Sequence, residues 1–159
     1  MNLLEKLAQF CAVLAGVLLT AITLMTCVSL IGRNTIGWTF VGDVEVSGFV
    51  AGAAVALFMP WCQVRRGNII VDFFTAGTSA ATQARLDRLG ALTLCAVMVL
   101  MTWRSGVGGL NAWNSKSGSM MLGLPEWLVY LGIVPSMALT ALIAFMQALR
   151  GFARPEAAR

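Results

Sequence analysis

The chain has 159 residues, 58% hydrophobic and only 11% charged, with a net charge of +4. Its length suits about one domain, and so apolar a balance excludes an ordinary soluble protein with a separate globular domain. The cations flank apolar runs and form no basic face, which argues against nucleic acid. The lack of any His removes His-ligated haem and zinc.

Four apolar stretches organise the chain: Leu7–Ile31, Val46–Val64, Leu89–Leu110 and Trp127–Leu149. Each is near the roughly 20 residues a helix needs to cross a hydrocarbon core of about 30 Å. The prediction is an all-α membrane protein of four transmembrane helices. Residues 1–159 form a single integral membrane domain, with short interfacial helices in the middle cytoplasmic loop.

The first stretch follows Lys6 and exceeds the usual signal-peptide core of about 7–15 residues, so it reads as a retained helix. Leu24-Met25-Thr26-Cys27 is a poor lipoprotein cleavage box. Thr20, Thr23, Thr26 and Ser29 can bond back to their own helix. Helices in lipid associate through close backbone approach, which favours small residues. Ala8, Ala12, Gly16 and Thr20, at four-residue spacing, form one such stripe. In the second stretch Ser47 and Ala51, or Gly48, Gly52 and Ala56, form another, and Pro60 bends the inner end.

The middle loop is too apolar for a plain linker. Gly67-Asn68 marks a turn, and Phe73 and Phe74 close the run Ile69-Ile70-Val71-Asp72. Thr78 or Ser79 can cap a short helix over Ala80–Leu86 lying along the interface. Arg65, Arg66, Arg85 and Arg88, with Phe73 and Phe74, are the expected cytoplasmic anchors to phospholipid. The third stretch contains Arg104. Pro125 suits the start of the fourth helix, and Pro135 should kink it, with Ser136 helping to satisfy the freed carbonyl. Gly132, Ser136, Thr140, Ala144 and Ala148 recur every fourth residue as a packing stripe. Cys11, Cys27, Cys62 and Cys95 contain no CxxC and read as small buried hydrophobes.

Cytoplasmic loops carry the excess of Lys and Arg. Lys6, Arg65, Arg66, Arg85, Arg88, Arg150, Arg154 and Arg159 fall on one side, against Arg33, Lys116 and Arg104. Both termini are therefore expected in the cytoplasm. Trp38, Trp61, Trp103, Trp113 and Trp127 lie near predicted span ends or outer loops, as an interfacial aromatic belt does.

Charges within spans are costly and point to function. Arg33, Asp43, Glu45 and Arg104 are expected as one cluster near the periplasmic interface, with Glu45 paired to Arg33 or Arg104. The simpler alternative is four separately solvated charges. No catalytic, metal or cofactor-binding set stands out: a nucleophile needs a base, and there is no His.

Three groups of residues carry a family resemblance. They are Arg33-Asn34 followed by Gly42-Asp43-Val44-Glu45-Val46, then Arg66-Gly67-Asn68-Ile69-Ile70-Val71-Asp72, then Leu122-Gly123-Leu124-Pro125-Glu126-Trp127 with Tyr130 and Pro135. In this order and spacing the chain resembles the small membrane subunit, DctQ type, of tripartite ATP-independent periplasmic (TRAP) transporters. The resemblance covers nearly the whole chain. Asn68 stands where that family usually has His.

The resemblance implies a bacterial inner-membrane heterodimer. A large elevator-type membrane subunit moves an organic acid inward with sodium ions, which it binds itself. A periplasmic substrate-binding protein delivers the acid. The small subunit is implied to be a non-catalytic scaffold without a cofactor. The competing expectation is a self-associating four-helix membrane protein, either a small exporter or a structural anchor.

Overall fold

A computed structural model describes residues 2–38, 40–65 and 80–150. The protein is all-α and built from four helices: α1 (Asn2–Thr35), α2 (Asp43–Val64), α3 (Ala80–Ser115) and α4 (Trp127–Arg150). Each contains a segment long and apolar enough to cross a membrane. The α1–α2 and α3–α4 connections lie together at one end, called here the hairpin end. Residues 66–79, with Arg66, Phe73, Phe74 and the proposed cap at Thr78 or Ser79, fall outside the described residues.

The helices form a row. α1 packs on α2, α2 on α4 and α4 on α3, while α1 also brushes α4. Among the described residues α3 touches only α4. Such an open layer leaves broad apolar faces on α1 and α3.

The α1 seam departs from the expected four-residue stripe. Shielded positions run through Ala8, Cys11, Ala15, Leu18, Ile22, Met25, Ser29 and Gly32, alternating three and four residues apart, with Ala12, Gly16 and Leu19 partly shielded beside them. Ala15, Ala54 and Leu57 form the core there, with Cys11, Leu18, Leu19 and Phe58 around it. The physical reason is angular. Four residues turn an α-helix through about 400°, so a four-spaced stripe drifts about 40° per step, whereas a 3.5-residue average keeps facing one partner. Ala12 is therefore half-buried, Thr20 is exposed, and a Cβ on Gly16 would meet nothing within 4 Å.

In α2, Gly48 and Gly52 likewise face open space, and the contact passes instead through Ala54, Ala56, Leu57, Pro60 and Gln63. On α4 the four-spaced set Ser136, Thr140, Ala144 and Ala148 is buried, and Gly132 is half-buried. Drift is tolerated here because α4 has neighbours on two sides. A Cβ on Gly132 would lie 3.1 Å from Ala53 Cβ, on the α2 side. On the α3 side, Tyr130 lies over Gly108 and Gly109, and a Cβ on Gly109 would come within 2.9 Å of Tyr130 Cβ. Backbone closeness is thus concentrated where small residues permit it.

Three further expectations change. Ala80–Leu86 is not a separate interfacial helix but the first turns of α3. Its residues are good helix formers, and no Gly or Pro separates them from the span. α4 runs through Pro135, and Ser136 Oγ donates to the Gly132 carbonyl at 2.7 Å rather than to the Leu131 carbonyl that the proline frees. Cys27 and Cys62 are exposed, while Cys11 and Cys95 are partly buried.

Candidate functional site

The most structured feature is a clamp at the hairpin end. It begins with two helix ends that need special backbone. α1 stops at Gly37, with φ 67°, and Trp38 N–H folds back to the Gly32 carbonyl at 3.2 Å. α3 stops at Lys116, with φ 50°. Lys116 N–H bonds Trp113 O at 3.3 Å, and Ser117 N–H bonds Ala112 O at 3.3 Å. That is the Schellman pattern with a lysine in the position glycine usually takes.

The α3–α4 loop then closes on itself. Ser119 N–H bonds the Leu124 carbonyl at 2.9 Å, Leu124 N–H bonds Ser119 Oγ at 3.1 Å, and Gly123 holds φ at 64°. This tight loop turns consecutive N–H groups at its tip toward α2. Glu45 accepts from Met121 N–H at 2.9 Å and from Leu122 N–H at 3.2 Å. Successive backbone N–H groups make a natural seat for an anion, and the carboxylate also sits in the first turn of α2, where the helix dipole favours it. Beside it, the Leu122 side chain fills the space over Gly42, whose φ is 89°.

Asp43 ties in α1. Ser29 Oγ, buried in the α1 seam, donates to Asp43 Oδ2 at 2.8 Å, and Val44 N–H donates to Asp43 Oδ1 at 2.7 Å. Trp113 and Trp127 meet edge to face, centroids 4.8 Å apart, at the α3–α4 junction. All four helices are therefore joined at this end through α2's first turn and the α3–α4 loop.

The expected charge cluster is not assembled as such. Arg33 is exposed in the last turn of α1, and Asp43 and Glu45 open α2. The pairing of Glu45 with Arg33 or Arg104 is corrected: its partners are loop amides. A loop backbone folded onto the carboxylate satisfies it at closer range than a side chain from another helix. Arg104 lies eleven residues before the end of α3, well below this end, with Trp103 beside it.

At the opposite end a polar lock closes the α2–α4 seam, and sequence reasoning missed it. Gln63 Nε2 donates to Gln147 Oε1 at 2.7 Å, and Gln147 Nε2 donates to the Gln63 carbonyl at 3.1 Å. Two amides near the ends of two apolar spans were the available signal. Arg65 lies over the Trp61 ring, 4.8 Å from its centroid. Arg85 and Arg88 are exposed on the first turns of α3.

Hydroxyls within the spans are mostly turned back onto their own helices. Thr20, Thr23 and Thr26 donate to Gly16, Leu19 and Ile22 carbonyls, Thr102 to Met98, and Thr140 to Ser136. Among the described residues no group of three His, Cys, Asp or Glu side chains is gathered to hold a metal.

Four apolar helices, hairpins clamped at one end and inward-satisfied hydroxyls define a multi-pass integral membrane protein of the all-α class. The family model for "Tripartite ATP-independent periplasmic transporters, DctQ component" matches residues 22–154. The chain belongs to that family, the small permease component of TRAP transporters. No curated protein and no solved structure matches the chain. Two of the segments that carry the resemblance, Gly42–Val46 and Leu122–Trp127, are the two halves of the clamp.

Proposed function

We propose that this chain is the non-catalytic scaffold subunit of a TRAP transporter. It braces a large elevator-type membrane subunit during sodium-coupled uptake of an organic acid that a periplasmic binding protein delivers. Family membership supports the transport role. The observation that carries the scaffold role is the clamp: Glu45 and Leu122 lock α2 to the α3–α4 loop, so the row of helices resists shear at that end. A static support must hold its shape while its partner slides.

In this reading the hairpin end faces the periplasm, and the Arg-rich end faces the cytoplasm with both termini. Eight of the eleven Lys and Arg residues fall on that side. Arg65, Arg85 and Arg88 reach phospholipid headgroups there. Sodium and the acid belong to the large subunit.

Deleting the chain while retaining the large subunit and the binding protein tests this reading. Uptake of the acid should be lost and restored by supplying the chain in trans. Uptake that survives deletion, or a stable homo-oligomer that never associates with the large subunit, overturns it.

A further inference from the structure

Arg104 is exposed on α3 with an apolar surround. Val97, Leu100 and Met101, one or two turns before it, share its face and are also exposed, as is Trp103. Its depth follows from its neighbours. Ser105 Oγ donates to Met137 Sδ at 3.9 Å, and Met137 lies near the middle of the span Trp127–Leu149. Counting along α3, Arg104 sits nine residues below Trp113, about 14 Å from the Trp113–Trp127 pair. An arginine at that depth is costly unless something pairs with it.

The described residues offer no partner. Arg104 makes no hydrogen bond or ion pair among the described residues. The seven acids are Glu5, Asp43, Glu45, Asp72, Asp87, Glu126 and Glu156, and none lies in the apolar interior of a span. The acid on the same helix, Asp87, is seventeen residues away, about 25 Å. Among the described residues a second copy brings Glu5, Asp43, Glu45, Asp87 and Glu126, each at or beyond the end of a span, and so supplies no carboxylate at mid-depth. The row of helices leaves this face of α3 open, because α3 packs only on α4.

We propose that the Arg104 face of α3 docks on a membrane-spanning helix of the large permease subunit that carries a carboxylate at the same depth. The proposal rests on the reading of this chain as the small subunit. The guanidinium presents several fixed donors and stays charged, so it suits a desolvated carboxylate between two helices. Val97, Leu100 and Met101 supply the apolar rim that excludes lipid and water around that pair.

The experiment co-expresses tagged chain with the large subunit and measures how much large subunit is recovered per chain. Wild type against empty vector tests the small-subunit reading alone. Arg104→Leu then separates the two coverings of the face by sign. Against a partner carboxylate it strands a buried charge and should lower recovery at least about tenfold. Against lipid it removes a cost, and recovery stays equal or rises, which overturns the proposal while the reading stands. Arg104→Lys should retain part of the complex. A photo-crosslinker at Leu100 in the otherwise wild-type chain does not depend on how the Leu variant folds. It should capture the large subunit; capture of a second copy, or of lipid alone, overturns the proposal.

Discussion

Leu122 occupies the space in which Gly42 would carry a side chain. A Cβ on Gly42 would lie 2.5 Å from Leu122 Cγ, and Gly42 holds φ at 89°. Eighty residues of sequence separate the two, yet each fixes the identity of the other. The same contact places Leu122 N–H 3.2 Å from Glu45 Oε2, so shape and hydrogen bonding act on one loop together.

Gly42→Ala should therefore destabilise the protein for two reasons. The left-handed backbone costs an L-residue about 1–2 kcal/mol, and the clash displaces Leu122. Adding Leu122→Ala should relieve the clash but not the backbone term. Thermal melts in detergent would show the double variant less stable than wild type but better than the sum of the singles. Strict additivity would mean that the contact does not form.

Glu45→Gln keeps the size of the side chain and removes its charge. Amide exchange at Met121 and Leu122 should accelerate, while the loop's internal bonds at Ser119 and Leu124 persist. Unchanged exchange at both amides would place the carboxylate elsewhere.

Gly109→Ala and Gly16→Ala should behave oppositely. On Gly109 the new Cβ would sit 2.9 Å from Tyr130 Cβ, against a ring root that cannot move without shifting α4. Overpacking of this kind costs about 1–3 kcal/mol. On Gly16 it meets nothing within 4 Å, and the better helix propensity of Ala should add up to about 1 kcal/mol. Paired melting curves decide the matter, and equal effects would contradict the packing described.

Gln147→Leu leaves Gln63, which is buried, without that partner and should cost about 1–3 kcal/mol. Replacing both glutamines with Leu should recover much of the loss, because no amide is then stranded. A double variant worse than either single would show that the two amides do not compensate one another.

These sites were unequally legible in the sequence. The charged and glycine-containing segments Gly42–Val46 and Leu122–Trp127 stood out, but nothing linear said that they meet. Glu45 carried an obvious need for a partner. Arginine was the natural candidate from composition, whereas the loop amides that serve it exist only once Ser119–Leu124 has closed. The α4 stripe of Ser136, Thr140, Ala144 and Ala148 was legible as contact, but the glycines of the α1 and α2 stripes were legible only as composition. Gly16, Gly48 and Gly52 face open space, whereas Gly108 and Gly109, in no stripe, lie close against Tyr130 of α4.

Hydropathy alone determined the number of helices and their ability to cross a membrane, because the solvent acts on whole segments and is indifferent to which side chain faces which neighbour. The tertiary structure decided the rest. It chose a seam of three-and-four spacing in α1 because only that average keeps facing one partner. It gave Glu45 its amides, since folded backbone supplies donors that no residue letter encodes. It also left Arg104 apart from Glu45 among the described residues, because the α3–α4 loop supplies that carboxylate with amides while Arg104 lies eleven residues before the end of α3.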